Sequence, residues 1–326
     1  MECYIGIDLG STTTKAVVMD EDYNVMGQGI TNSRSNYDIA AGVAKHEALI
    51  DTRFMLFRNA MKNVTALGDK YEAFMDELER NFRLEQYLEQ LIDLDETCTK
   101  ASENTRYSEW GSDLSDALSG VFKRVTTEAP ELFAPGAQRK SDFFRDIAGS
   151  QYSTISEEVA KQAETPFDVL LNIYDRSIIE VENRIYTETT NQNLMRALDR
   201  TLVNLPDLAP VASEVRTEVE KVLGIDLEET YVIGTGYGRA RLPFSKDHIR
   251  SEILCHGLGA HIMYNDTRTV LDIGGQDTKA IQVDKDGIVE SFQMNDRCAA
   301  GCGRYLGYIA DEMNVGLHEL GPIAMK

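Results

Sequence analysis

The stretches IGIDLGSTTTKAVVMD (residues 5–20) and VLDIGGQDTKAIQVD (residues 270–284) decide the fold, because the second repeats the pattern of the first. Each contains an apolar strand that reaches an Asp, a Gly in a short polar turn, the pair Thr-Lys and a second apolar strand. Such a pattern predicts two strands joined by a tight turn. The chain therefore uses one hairpin twice, which indicates a duplicated α/β fold.

The polar turns of the two hairpins have the features of a phosphate site. A Gly in each turn lets the backbone approach an anion, and successive N–H groups and hydroxyls of such a turn can hold phosphate oxygens. Asp8 and Asp272, at the strand ends, are placed to reach a hydrated Mg²⁺. One hairpin alone would be an ordinary turn, whereas two copies indicate a nucleotide site. The sequence contains no Walker-type and no Rossmann-type glycine motif as a rival.

The composition restricts the class of protein. The 326-residue chain has 54 acidic and 33 basic residues and a formal net charge of -21, which opposes nonspecific binding to nucleic acid. No apolar run approaches the roughly 20 residues of a membrane span, and the chain opens on a strand pattern instead of an export signal. We therefore expect a cytoplasmic protein without a nucleic-acid or membrane partner.

The cysteines are expected to stay reduced in that compartment. Two of the five lie four positions apart, Cys298 and Cys302 in the loop NDRCAAGCGRY (residues 295–305). This spacing favours metal or redox chemistry over a disulfide framework. The others are interpreted as small buried hydrophobic residues: Cys3, Cys98 and Cys255.

A long helical region lies between the hairpins. Apolar side chains at steps of three and four in residues 71–96 predict an amphipathic helix, either one bent helix or two short ones. Another helix is predicted over residues 211–224, where Gly224 ends it. Almost nothing in this region has the pattern of a strand.

The strand pattern returns at about residue 229. TYVIGTGYGR (residues 230–239) is an apolar strand that enters a glycine turn, and residues 269–294 contain three short strands. Between them, SEILCHGLGAHIMY (residues 251–264) is predicted to be a helix with Ser251 as its N-cap. The helical region thus interrupts an α/β domain that resumes afterwards.

These residues resemble a known family. DLGSTTTK and DIGGQDTK are similar to the two phosphate loops of the superfamily that joins acetate and sugar kinases, heat-shock chaperone ATPases and actin. A narrower resemblance is to the BadF/BadG/BcrA/BcrD-type ATPases, which include the activators of 2-hydroxyacyl-CoA dehydratases and the ATPase subunits of benzoyl-CoA reductase. It is carried by GTGYGR, SEILCHGLGA, DIGGQDTKAI and FQMNDRCAAGCGRYL, in that order. The long middle region is most similar to the larger ATPase subunit of benzoyl-CoA reductase.

The resemblance implies a ribonuclease H-like duplicated fold with a large helical insertion and an incomplete second domain. The first ATPase domain is expected over residues 1–36 plus 209–250, the insertion over 37–208, and the start of the second domain over 251–326. The family's adenosine-binding turn and second cluster cysteine come later in its pattern than Lys326. We therefore expect either a fragment or a fold that another chain completes, with an apolar face of the sheet left exposed.

The implied function is ATP-driven electron transfer. By resemblance, ATP hydrolysis drives low-potential electrons from a [4Fe-4S] cluster, shared with a homologous ATPase subunit, to a CoA-ester reductase of the benzoyl-CoA type. Reduced ferredoxin or flavodoxin would supply the electrons. Cys298 matches the family's first ligand cysteine, and Cys302 is either a second local thiolate or a packing residue. The alternatives are an activator of a 2-hydroxyacyl-CoA dehydratase, a small-molecule kinase without a cluster, and a noncatalytic scaffold.

The same resemblance suggests roles for individual residues. Gln276 or Glu252 would orient the attacking water. Arg239 would contact a phosphate or pair with an acidic neighbour, and His256 would pack on its helix. The alternative role for Ser11, Thr12 and Thr13 is only to cap their turn. The expected phosphate-binding set is Gly10, Ser11, Thr12, Thr13, Thr14 and Lys15 on one side and Gly274, Gly275, Gln276, Asp277 and Lys279 on the other.

Overall fold

The computed structural model describes most of the chain. It covers residues 1–33, 36–138, 141, 143–163, 165–236, 238–239, 245–275, 277–295 and 303–326. These residues divide into two compact units, of which the first comprises Met1–Cys3, Val17–Thr31 and Gly42–Glu229, and the second Tyr4–Ala16, Asn32–Ala41 and Thr230–Lys326. No helix within these ranges is both long enough and apolar enough to cross a membrane.

A four-stranded sheet contains the first hairpin. Its strands have the order β3-β2-β1-β4. The two strands predicted around the first loop are confirmed, and their buried side chains alternate because successive strand residues point to opposite faces. The bounds are β1 (Glu2–Leu9), β2 (Thr13–Met19), β3 (Val25–Asn32) and β4 (Glu228–Thr235).

The first unit contains the predicted helical region. Residues 71–96 belong to one helix of 32 residues, so the alternative of two short helices was wrong. Gly224 follows the last of these helices, as predicted. The helices are α1 (Tyr37–Lys62), α2 (Tyr71–Ser102), α3 (Gly111–Leu132), α4 (Phe144–Gln162), α5 (Phe167–Glu182), α6 (Thr190–Asn204) and α7 (Ala212–Leu223).

Helix α2 takes part in two hydrophobic cores. Its C-terminal half packs with α3, α4 and α5 around buried residues such as Tyr152 and Ile173. Its N-terminal half packs with α1, α6 and α7 around Phe57 and Phe74. The long helix therefore links the two cores, and its apolar stripe serves a different core in each half.

A second, antiparallel sheet contains the second hairpin. Its strands β5 (Thr269–Ile273), β6 (Thr278–Val283) and β7 (Val289–Asn295) lie in sequence order, and all three were predicted. Helix α8 (Glu252–Met263) covers the face that carries Ile281 and Val283. Leu271 and Ile273 alternate onto the other face and are exposed, as expected for this sheet. Helices α9 (Gly303–Glu312) and α10 (Leu320–Ala324) follow.

Candidate nucleotide site

The first loop leaves β1 at Asp8 and enters a turn that requires glycine. A Cβ on Gly10 would lie 2.6 Å from the carbonyl oxygen of Thr13, closer than any side chain tolerates. Ser11 and Thr12 are exposed at the tip of this turn. Lys15 Nζ lies 3.5 Å from Asp8 Oδ2 in a partly exposed ion pair, a type that contributes little to stability.

Ser33 supports this loop and escaped the sequence analysis. Its hydroxyl donates to the Gly10 carbonyl at 2.6 Å, so Thr14, whose hydroxyl lies 2.9 Å from the Ser33 hydroxyl, acts as donor in the second bond. Thr14 is fully buried. Its hydroxyl therefore braces the loop, whereas its neighbours in the predicted phosphate-binding set remain accessible. Ser33 is distant from the first loop in sequence. Only the polar residues next to it in the sequence could have suggested this role.

The glycine turn after β4 lies against Asp8. Gly236 has a φ of 92°, and a Cβ there would lie 2.5 Å from Asp8 Oδ1. The Gly238 N–H donates to the Leu9 carbonyl at 3.0 Å, which fixes this turn beside the first loop. Arg239, predicted to contact a phosphate or an acidic neighbour, donates to the Gly236 carbonyl at 3.0 Å.

The second loop has a closely similar construction. The Gly274 N–H donates to the Asp277 carbonyl at 2.9 Å, and a Cβ on Gly274 would lie 2.6 Å from Asp277 Oδ1. Asp272 and Lys279 are directly opposite each other in the β5–β6 register. Gln276, one of the two residues predicted to orient water, lies outside the described residues.

Lys279 is the buried centre of an ionic cluster whose carboxylates are partly exposed. Its side chain is 3% exposed, and its Nζ lies 2.8 Å from Glu252 Oε1, 2.9 Å from Asp277 Oδ1 and 3.3 Å from Asp272 Oδ2. Burial alone would lower the pKa of Lys279, but hydrogen bonds to Glu252 and Asp277 and the nearby carboxylate charges raise it above its ordinary value. Lys279 is therefore permanently charged. Glu252, the other residue predicted to orient water, belongs to this cluster.

His256 also belongs to the site, so the expectation that it only packs on its helix was wrong. Its Nδ1 lies 2.8 Å from Asp272 Oδ2. Glu252 and His256 are four residues apart in α8 and thus share one face. Burial would raise the pKa of Asp272, but the hydrogen bond from His256 and the charge of Lys279 lower it overall. Helical spacing could have paired Glu252 with His256, but nothing in the sequence relates them to Asp272.

Helix α8 reaches the site because it lies very close to the sheet. A Cβ on Gly257 would lie 2.8 Å from Val289 Cγ2 and 3.1 Å from Val283 Cγ1. Cys255 lies on the same helix and is half-buried. Burial, together with the charges of Asp8 and Glu252, raises the pKa of its thiol. Cys3 and Cys98 are buried, as predicted.

Helix α9 joins the second loop directly. The Gly303 N–H donates to the Gly274 carbonyl at 2.9 Å, and the Arg304 N–H donates to the Gly275 carbonyl at 3.0 Å. The predicted cluster residues, Cys298 and Cys302, lie outside the described residues. The second loop is thus hydrogen-bonded to the first residues of the helix that follows the cysteine segment.

Comparison with known proteins identifies the family. The chain belongs to the BadF/BadG/BcrA/BcrD ATPase family, whose model matches residues 5–326. This membership confirms the resemblance that the loop motifs indicated, and with it the predicted fold class, an α/β chain with the duplicated fold of actin, heat-shock chaperone ATPases and sugar kinases.

Individual relatives match shorter parts of the chain. The 2-hydroxyisocaproyl-CoA dehydratase activator of Clostridioides difficile is 45% identical over 95 residues, which are 29% of this chain and 35% of the relative. A benzoyl-CoA reductase subunit of Thauera aromatica is 36% identical over 96 residues, 29% of this chain and 33% of the relative. The chain therefore spans well under half the length of these curated relatives.

A solved structure is also similar in sequence. The activator of the 2-hydroxyisocaproyl-CoA dehydratase from Clostridium difficile, solved with bound ADPNP, is 40% identical and covers 35% of this chain and 42% of its own. Its TM-score of 0.28 carries no weight for the fold. The family assignment rests on the match over residues 5–326.

Proposed function

We propose that the chain is an ATP-hydrolysing electron-transfer subunit that activates a CoA-ester dehydratase or reductase. The observation that carries this proposal is the pair of matched loops within one compact unit. Each loop combines a carboxylate, Asp8 or Asp272, with a glycine turn and a lysine. Such turns bind phosphates through backbone N–H groups, and one or two carboxylates suffice to hold a hydrated Mg²⁺.

The residues of the site fit a magnesium nucleotide. Asp272 has a lowered pKa and is therefore a carboxylate at neutral pH, as a hydrated Mg²⁺ requires. Ser11 and Thr12 are exposed where a phosphate could approach the first turn. When bound, the ion would neutralise phosphate charge in the transition state. Gln276 or Glu252 would orient the attacking water. If Glu252 does so, its carboxylate must contact the water as well as Lys279.

Helix α9 would transmit a movement at the nucleotide to the cysteine segment. Two backbone hydrogen bonds join the Gly274–Gly275 turn to Gly303 and Arg304. A shift of this turn on hydrolysis would move the start of α9, immediately after Cys298 and Cys302. A [4Fe-4S] cluster would be held at Cys298, with Cys302 as a neighbouring thiol, and would be shared with a homologous ATPase subunit, each subunit supplying two of the four thiolates. Such a cluster carries one electron at a time.

The partner enzyme is the finer part of the proposal. The 45% identical relative activates a dehydratase, whereas the benzoyl-CoA reductase subunit is 36% identical. These identities favour a 2-hydroxyacyl-CoA dehydratase as partner, ahead of the benzoyl-CoA reductase suggested by the long helical region. Reduced ferredoxin or flavodoxin would supply the electrons.

Anaerobic purification tests the cluster and the hydrolysis together. Iron and sulfide are measured in the wild-type chain and in the Cys298→Ala and Cys302→Ala variants after reconstitution. We expect Cys298→Ala to lose the cluster and Cys302→Ala to keep most of it. Equal iron contents in all three proteins would overturn the assignment of the cluster to Cys298. ATP hydrolysis and reduction of the enzyme are then measured with each candidate partner enzyme. If only one enzyme is reduced, that enzyme is the partner.

A further inference from the structure

The two lysines at equivalent positions of the repeated hairpin have different surroundings. The Lys15 side chain is 53% exposed, and its one carboxylate neighbour within the described ranges is Asp8 at 3.5 Å. The Lys279 side chain is 3% exposed and lies between three carboxylates. An ammonium group has three hydrogens to donate, and Lys279 has an acceptor for each. Lys15 can therefore turn toward a phosphate, whereas Lys279 would have to leave a buried position and three acceptors.

The cluster around Lys279 is organised for an ammonium group and not for a metal ion. Glu252, His256 and Asp272 each present one ligand atom, and these atoms lie within 4.8 Å of one another. However, Lys279 Nζ already lies within 3.3 Å of both carboxylates. A divalent ion at the same oxygens would have to displace a buried positive charge.

His256 and Lys279 act on the same oxygen of Asp272. A carboxylate can only accept, so His256 Nδ1 carries the hydrogen of the 2.8 Å bond to Oδ2. Lys279 Nζ donates to Oδ2 at 3.3 Å. Among the described residues no hydrogen bond engages Oδ1. In this part of the chain, one oxygen of Asp272 is held from two sides and the other is available.

We propose that His256 and Lys279 are positioning residues, which hold Oδ2 of Asp272 so that Oδ1 serves the hydrated magnesium ion, and that Lys15 is the lysine that contacts the phosphates. This inference rests on the proposed function, because it assigns parts to residues of the same nucleotide site. Partners of this kind orient a metal-binding carboxylate and keep it charged, and their loss typically lowers metal affinity about 10–100-fold.

Substitutions of His256 test the positioning part. Asn places its amide nitrogen near the position of Nδ1, whereas Gln places it near Nε2, so His256→Asn retains the donor to Asp272 and His256→Gln does not. The measurement is the Mg²⁺ concentration for half-maximal binding of a nonhydrolysable ATP analogue by the full chain. We expect His256→Gln to raise it by about 10–100-fold and His256→Asn to stay within a few-fold of wild type. Equal values for the two variants would overturn the positioning role.

Substitutions of the two lysines test the phosphate part. Binding of ATP is measured in excess EDTA, where the orientation of Asp272 has no bearing on affinity. We expect Lys15→Met to weaken this binding by about tenfold or more, in line with the loss of one charged hydrogen bond. Lys279→Arg, which keeps a positive charge among the three carboxylates, should leave it within a few-fold. Weaker binding on substitution of Lys279 alone would reverse the assignment.

The outcomes separate this inference from the function on which it rests. A wild-type chain that neither binds nor hydrolyses ATP, with the candidate partners present, would overturn both. A wild-type chain that hydrolyses ATP, with His256→Asn and His256→Gln variants that behave alike, would overturn the positioning role and leave the proposed ATPase intact.

Discussion

Gly236 lies so close to Asp8 that no side chain fits there. A Cβ would meet Asp8 Oδ1 at 2.5 Å and the Leu9 carbonyl oxygen at 2.6 Å, and the φ of 92° disfavours any other residue. The requirement is thus both steric and conformational. Gly236 fixes the space in which Asp8 would face a magnesium nucleotide.

The Gly236→Ala variant should lose most of the proposed ATPase activity. The added methyl group displaces Asp8, and a misplacement of about 1 Å at a reacting centre can cost about 100-fold in rate. The measurement is kcat/KM for ATP. Gly6→Ala in β1 is the control, because a Cβ at Gly6 has nothing within 4 Å. Equal activity of the two variants would show that the contact with Asp8 is unimportant.

The Gly257→Ala variant should be less stable. Its Cβ would lie 2.8 Å from Val289 Cγ2, and such overpacking typically costs about 1–3 kcal/mol. Gly259→Ala is a control in the same helix, where nothing lies within 4 Å and alanine should gain up to about 1 kcal/mol of helix stability. Unfolding in urea measures both. Similar free energies of unfolding would contradict the close approach of α8 to its sheet.

Elements of the helical unit meet along polar as well as apolar surfaces. Buried Glu77 and Asn81 of α2 face α6: Asn204 Nδ2 donates to Glu77 Oε1 at 2.7 Å, and Asn81 Nδ2 donates to Thr201 Oγ1 at 2.9 Å. Arg200 of α6 also forms an ion pair with Glu85. Hydrogen-bonded polar pairs at such a seam require one register of the two helices, because a shift would leave buried groups without partners.

Glu77→Gln should destabilise the chain in a pH-dependent way. Burial raises the pKa of Glu77, but hydrogen bonds from Asn204 and Arg80 lower it overall, below its ordinary value of 4.5. A carboxylate with a lowered pKa stabilises the fold above its ordinary pKa, and this contribution disappears as the pH falls through the lowered one. We expect a loss of about 1–3 kcal/mol at pH 7.

Unfolding of wild type and Glu77→Gln at pH 7 and at progressively lower pH tests this expectation. The difference should shrink below pH 4.5. Glu79→Gln is the control, because its pair with Arg58 is partly exposed and should contribute less than about 1 kcal/mol. A difference for Glu77→Gln that is independent of pH would exclude a role for its charge.

Strand β3 is an element that the sequence analysis did not predict. Gly27 and Gly29 both lie within this strand. A Cβ at Gly29 would meet the Ala44 carbonyl oxygen at 2.1 Å, and one at Gly27 the Ala48 carbonyl oxygen at 2.3 Å. These glycines allow the backbone of α1 to lie directly on the strand. Close packing, which is a tertiary property, therefore overrides the usual low frequency of glycine in strands.

At the scale of the whole molecule, each compact unit has a different character. The first consists largely of helices around two hydrophobic cores. The second contains both repeated loops, α8 and the start of α9, and it exposes apolar side chains such as Leu271 and Ile262. Ligand-dependent changes in stability should therefore be confined to the second unit.

Hydrogen exchange with and without a magnesium ATP analogue tests that distribution. We expect the amides of Gly303 and Arg304 to gain protection, because they donate to the turn that would hold a phosphate. Amides of α3 (Gly111–Leu132) provide the internal control and should not change. Protection that is limited to the first loop, with none at the start of α9, would argue against the proposed route to the cysteine segment.

The sequence by itself determined the two hairpins, the helical region and the family, because these depend on local periodicity and on short motifs. It also placed Asp8 and Asp272 at the strand ends. Only the tertiary structure decided that Lys279 is buried among Glu252, Asp272 and Asp277 while Lys15 is exposed. Identical Thr-Lys pairs carry no information on burial. That depends on whether a helix packs above them, and here Gly257 allows α8 to do so.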